Sequence, residues 1–156
     1  MKILLLAVGR PGRLLAPAIR EYEARAARYW PFEVVEVKEE KARGNDAAVR
    51  AAESDRLLAA VPDGVETVAV TRKGTSWGSA DLARYLQNLA VGAAPGAAFL
   101  IGGALGLDPD TVAGARHRLS LSAFTLPHDI ARLNLAEQIY RAGTIARGEP
   151  YHKGAS

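Results

Sequence analysis

Cysteine is absent from this chain of 156 residues, which excludes disulfides, thiolate zinc sites and a cysteine nucleophile. That absence fits a reducing compartment, so the cytoplasm is the expected location. Long apolar runs are absent as well. The N-terminal run from Ile3 to Val8 stops at Gly9-Arg10-Pro11-Gly12, too short for a signal-peptide core or a membrane span, and no membrane association is expected. Charge of one sign is barely in excess, with 20 Lys plus Arg against 17 Asp plus Glu and a net charge of +3. Such a balance permits a polyanionic partner without demanding one. The chain has no G-x-G-x-x-G, no phosphate loop ending in Gly-Lys-Ser/Thr and no G-x-S-x-G elbow. A dinucleotide site, an ATP site and a serine hydrolase are therefore set aside.

What is there is an alternation of short β-type runs with helical stretches, the pattern of an α/β layer fold with a mostly parallel sheet. Strands are expected at Lys2 to Val8, Phe32 to Val37, Glu66 to Thr71, Ala97 to Ile101 and Leu119 to Ser122. Helices are expected at Leu14 to Tyr29, Asp46 to Val61 after the cap Asn45, and Ala80 to Ala90 after the cap Ser79, then at Pro109 to Ala115 and Asp129 to Arg147. The polar stretch Lys38 to Asp46 reads as a solvated connection. No linker, repeat or low-complexity tract divides the chain, so residues 1–156 are expected to form a single domain.

Two strand ends and two segments after them could carry chemistry. "FLIGGALGL", Phe99 to Leu107, runs an apolar strand into Gly102, Gly103 and Gly106, which makes either a tight turn or a place where a ligand approaches backbone. "SLSAFTLPH", Ser120 to His128, offers backbone groups between small and apolar side chains, a recipe for a dry small-molecule pocket. In the helix that follows, Arg132 shares a face with Leu135, Ala136, Ile139 and Gly143. A buried arginine must meet a carboxylate, a phosphate or a ligand, unless it snorkels to a surface acid such as Glu137. The tail "RGEPYHKGAS" places Tyr151, His152 and Lys153 just past that helix, where a chain is ordinarily frayed.

Together, "LIGGALGL", "SLSAFTLPH", "ARLNLAEQIYRA" and "RGEPYHK" resemble the ribosomal RNA large subunit methyltransferase H family, SPOUT-type enzymes acting on N3 of a pseudouridine. The resemblance extends over the whole chain, including "KILLLAVGR" and "YEARAARY". It implies an α/β, mostly parallel sheet flanked by helices with a C-terminal trefoil knot, and no appended RNA-binding domain. It also implies S-adenosylmethionine as methyl donor, no metal, and a homodimer acting on large-subunit (23S) rRNA in the ribosome. Carried over by position, the donor site comprises Val70, Gly102, Leu121, Ser122, Ala123, Phe124, Thr125 and Leu126. Ala104-Leu105, Asp129, Asn134 and the extension Gly154-Ala155-Ser156 depart from the family pattern.

The chemistry so implied needs a donor methyl and an acceptor nitrogen held in line, and loss of the N3 proton. His152, with Tyr151 beside it, is the expected proton-handling group, and Arg132 is expected to face the RNA and orient substrate or stabilise developing charge. RNA is expected to lie against Arg10, Arg13, Arg72, Lys73, Arg141 and Lys153, in a salt-dependent manner. The alternatives are a SPOUT methyltransferase acting on another RNA such as tRNA, and a non-catalytic ribosome-associated RNA-binding protein.

Overall fold

The structure, a computed structural model, describes residues 1–41, 44–92 and 94–154, with His152 and Gly154 described by backbone alone. Five strands, β1 (Lys2–Val8), β2 (Phe32–Val37), β3 (Glu66–Ser76), β4 (Gly96–Ile101) and β5 (His117–Ser120), form one all-parallel sheet in the order β2-β1-β4-β3-β5. Between and after them come α1 (Ala16–Tyr29), α2 (Asp46–Ala59), α3 (Ser79–Val91), α4 (Pro109–Gly114), α5 (His128–Ala146) and a 3₁₀ turn, Pro150–Gly154.

The central strands read as unbroken apolar runs because both of their faces are covered. Successive side chains alternate in direction, so Ile3, Leu5 and Ala7 of β1 and Ala97, Phe99 and Ile101 of β4 enter one core. Leu4, Leu6, Val8, Ala98 and Leu100 enter a second. The first core is closed by α1, α3 and α5, through residues such as Ala26, Leu86 and Leu135. The second is closed by Leu57 of α2. Trp30, at the end of α1, donates its indole N–H to the Ile139 carbonyl at 3.0 Å, which fastens α1 to the middle of α5.

Of the boundaries that differ from the sequence expectation, three do so for identifiable reasons. Asn45 does cap α2, its side chain accepting the Ala48 N–H at 3.0 Å, but α3 starts one residue earlier than expected. There the Asp81 carboxylate takes the Gly78 N–H at 2.8 Å, so Ser79 is the first helical residue and not the cap. β5 occupies His117–Ser120 rather than 119–122, because the Ser120 hydroxyl donates to the Ser122 carbonyl at 3.0 Å as the chain leaves the sheet. β3 runs past Thr71 to Ser76 because it is irregular: Val70 and Thr75 both register with Leu119 of β5, and the register shifts between them. Of the polar connection from Lys38 to Asp46, Ala42 and Arg43 lie outside the described residues.

No helix among the described residues is long and apolar enough to cross a membrane. No group of three or more His, Cys, Asp or Glu that could hold a metal ion occurs among them.

Candidate functional site

In an open parallel sheet, ligands bind beyond the carboxyl ends of the strands, and a large cavity lies there. It has a volume of about 620 Å³ and sits over the ends of β4 and β5 and over β3 where its register shifts after Val70, closed on its far side by the start of α5. Val70 and Thr71 come from β3, Ile101 ends β4 and leads into Gly102, and Leu121, Ser122, Phe124, Thr125 and Leu126 come from the loop after β5. Of the eight positions expected from sequence to hold a donor, seven line this cavity. Ala123 does not; it lies exposed on the same loop.

Two local devices shape the cavity. The Ser122 hydroxyl oxygen accepts the Phe124 N–H at 2.9 Å, a short side-chain turn that leaves the Phe124 ring 83% exposed. The glycine loop closes on itself, the Gly106 N–H meeting the Gly103 carbonyl at 3.0 Å, with Gly106 at a φ of 84° that favours glycine. From behind, α2 supports both ends of that loop. Ser54 accepts the Asp108 N–H at 2.9 Å, and Glu53, only 3% exposed, lies under Gly103. One Glu53 oxygen accepts the Glu40 N–H at 3.1 Å, while Oε1 has no hydrogen-bond partner among the described residues. Glu53 and Ser54 were missed in the sequence, although Val49, Glu53 and Leu57 at successive fourth positions place a charge on an apolar helix face.

Arg132 is not turned outward, and this corrects the expectation that it faces RNA. It is 2% exposed and sits between α5, α1 and β2. Its Nε lies 2.8 Å from Glu23 Oε2, and its Nη1 lies 2.8 Å from Glu36 Oε2. Of the partners left open in the sequence, it meets carboxylates. Burial pulls its pKa down, and the hydrogen bonds and charges of Glu23 and Glu36 more than offset that, so it stands above the ordinary arginine value. The cation is permanent and already neutralised. Arg141 is likewise taken, paired with Glu137 at 2.7 Å and seated over the Tyr151 ring, so it is not a free phosphate contact.

As far as Gly154 the tail is not frayed. Pro150–Gly154 forms its turn against α5, where the Tyr151 hydroxyl donates to Glu137 at 2.9 Å and its ring packs on Tyr140. Burial first, then hydrogen bonds with Glu137 and Tyr22, push the Tyr151 phenol well above the ordinary tyrosine range. It is a neutral hydrogen-bond donor and not a base. Glu137 lies nine residues beyond His128, about 14 Å along the helix axis at 1.5 Å per residue. Tyr151 and the cavity of the same chain are therefore not brought together. The side chain of His152 lies outside the described residues.

The chain matches the family described as "Predicted SPOUT methyltransferase" over residues 1–152. It is 52% identical over 155 residues to a ribosomal RNA large subunit methyltransferase H of Gemmatimonas aurantiaca, with 98% of this chain and 100% of that protein covered. A protein of the same name from Syntrophotalea carbinolica is 43% identical over 154 residues, covering 97% and 99%. Among solved structures, a probable methyltransferase from Bordetella pertussis Tohama I superposes with a TM-score of 0.56 at 19% identity, covering 91% of this chain and 94% of that one. That likeness bears on the fold alone. Matched along almost its whole length by the family and by these relatives, the chain belongs to the SPOUT methyltransferases, in the ribosomal RNA large subunit methyltransferase H family.

Proposed function

We propose that the protein transfers a methyl group from S-adenosylmethionine to N3 of a pseudouridine in large-subunit ribosomal RNA, on the assembled particle, as a homodimer in the cytoplasm. The observation that carries this reading is the cavity over β3, β4 and β5, whose lining includes Val70, Gly102, Leu121, Ser122, Phe124, Thr125 and Leu126. The residues present suit such a donor: Val70, Ile101, Leu121 and Leu126 give dry walls, and the glycine loop gives backbone groups. When bound, the donor supplies a methyl group on a positively charged sulfur. The trefoil threading of the C-terminal part belongs to the same reading.

The acceptor N3–H must lose its proton as nitrogen attacks, and a positioned base contributes typically a hundredfold or more. We place His152 in that role, with Tyr151 fixing the tail beside it through its bond to Glu137. Arg132 becomes a positioning residue, which sets the start of α5 against α1 and β2. The distance along α5 between tail and cavity is why the reading requires two copies, the tail of one serving the cavity of the other. Tyr22, Tyr29, Tyr140 and Tyr151, interleaved with Arg25, Arg141 and Arg147, form the face that suits a second copy, since tyrosine and arginine are enriched at interface cores. Arg10, Arg13, Arg72, Lys73 and Lys153 are exposed and remain as phosphate contacts.

Incubation of ribosomes lacking the modification with the protein and S-adenosylmethionine tests this directly. Mass mapping should find one methylated pseudouridine in 23S rRNA; a methyl group on tRNA, or none, overturns the reading. His152→Ala should lower turnover about a hundredfold and leave donor binding by calorimetry unchanged. Equal methylation by variant and wild type removes His152 from the reaction.

A further inference from the structure

A second cavity, of about 240 Å³, opens between the start of α3, the end of β5 and the stretch of α5 that carries Asn134, Leu135 and Gln138. We propose that it seats an unstacked nucleobase of the substrate RNA, the neighbour of the target, with Asn134 reading its edge. The inference rests on the function proposed above.

Size and place come first. The volume lies below the roughly 300 Å³ at which sites for drug-sized ligands begin, so it suits one planar ring and not a second nucleotide cofactor. Leu121 lines both cavities, so a ring held here would lie next to the donor site, as a base adjacent to the target must. The chemistry of the walls is the second observation. Ser79, Ser120, Asn134 and Gln138 supply polar groups, Leu82, Leu119 and Leu135 supply apolar surface, and no charged side chain lines the cavity. A neutral heterocycle with donors and acceptors on its edge matches such walls, and a phosphate does not.

Asn134 is the specific element. Gln138, one turn further on, is held by its neighbours: its carbonyl accepts from the Ser79 hydroxyl and its amide N–H donates to Glu137. Asn134 is exposed and its amide has no hydrogen-bond partner among the described residues. It therefore offers both a donor and an acceptor, the pairing by which asparagine reads a base edge. Trp77 completes the wall, backed by Tyr85 and His117 at ring separations of 5.1 and 5.7 Å, so its indole is held in place for contact with the ring.

The test is steady-state methylation of unmodified ribosomes by wild type and Asn134→Leu, with sedimentation velocity on both proteins. Asn134 is exposed and bonds to no side chain among the described residues, so the variant should fold. The KM for ribosomes should rise about tenfold, with kcat and the calorimetric affinity for S-adenosylmethionine unchanged. On protein saturated with that donor, uridine 5′-monophosphate should shift the Trp77 indole resonance in wild type only. Wild-type methylation with an unchanged KM in the variant overturns the subsite and leaves the proposed function standing. A changed sedimentation coefficient overturns it too, because the cavity would then be covered by a second copy. Wild type inactive on ribosomes overturns both.

Discussion

Arg132→Ala should destabilise the protein by about 3–5 kcal/mol, the usual cost of removing one partner from a buried ion pair. The cost follows from what stays behind. Glu23 is 8% exposed, and the only other cation paired with it and Glu36 among the described residues is Arg20, whose guanidinium stands 4.0 and 3.6 Å away from their carboxylates and is half exposed. Alanine leaves two carboxylates without their main partner, together with a void among α1, α5 and β2. Urea unfolding of wild type and variant should therefore show a large drop in midpoint. Neutralising both glutamates alongside, as Arg132→Met with Glu23→Gln and Glu36→Gln, should recover a good part of the loss, since apolar or neutral replacements of buried pairs are often tolerated. A side chain that met RNA instead would behave in the opposite way. Its removal would leave the unfolding midpoint in place and raise the KM for ribosomes, and that pattern would sink the positioning role.

The network also marks where sequence reasoning reached and where it stopped. A charge on an apolar helix face was visible at Arg132, and the rule that it must find a partner was sound. What lay beyond a one-dimensional reading was which of carboxylate, phosphate or ligand it finds, because Glu23 and Glu36 come from elements about a hundred residues earlier. Yet Glu23 carries the same mark: with Ile19 and Ala26 it forms the buried set of α1. Two opposite charges misplaced on two apolar helix faces are mutually explanatory, and Glu53 on α2 is a third instance of the pattern.

The strands were legible for a different reason. β1 and β4 are buried on both faces and read as continuous apolar runs. Gly102 and Leu121, which line the larger cavity, sit where β4 and β5 end, and Val70 sits where the pairing of β3 with β5 shifts. β3 was legible only to Thr71, because its continuation depends on a register shift against β5 that no local pattern announces. The anchoring of the tail was likewise out of reach, since it is made by Tyr151 meeting Glu137 and Tyr140 across a turn.

Gly102→Ala should weaken binding of S-adenosylmethionine about tenfold or more, a loss of roughly 1.4 kcal/mol that corresponds to disturbing one or two loop hydrogen bonds. A Cβ at this position would stand 2.4 Å from the Gly106 carbonyl carbon, 2.6 Å from the Leu107 nitrogen and 2.8 Å from the Gly106 oxygen. All three are backbone atoms, so no side chain can swing aside and the loop itself must move. Gly103 provides the internal comparison. A Cβ there would meet Glu53 Oε1 at 2.8 Å, the end of a side chain that can adjust, so Gly103→Ala should cost less than Gly102→Ala. Calorimetric titration of both variants with S-adenosylmethionine, next to their unfolding midpoints, reads the ordering. If Gly102→Ala binds the donor like wild type, the glycine loop is a turn and not a wall of the donor site. If Gly103→Ala is the weaker binder, it is the carboxylate of Glu53, and not the close approach of Gly102 to Gly106, that sets the loop's position.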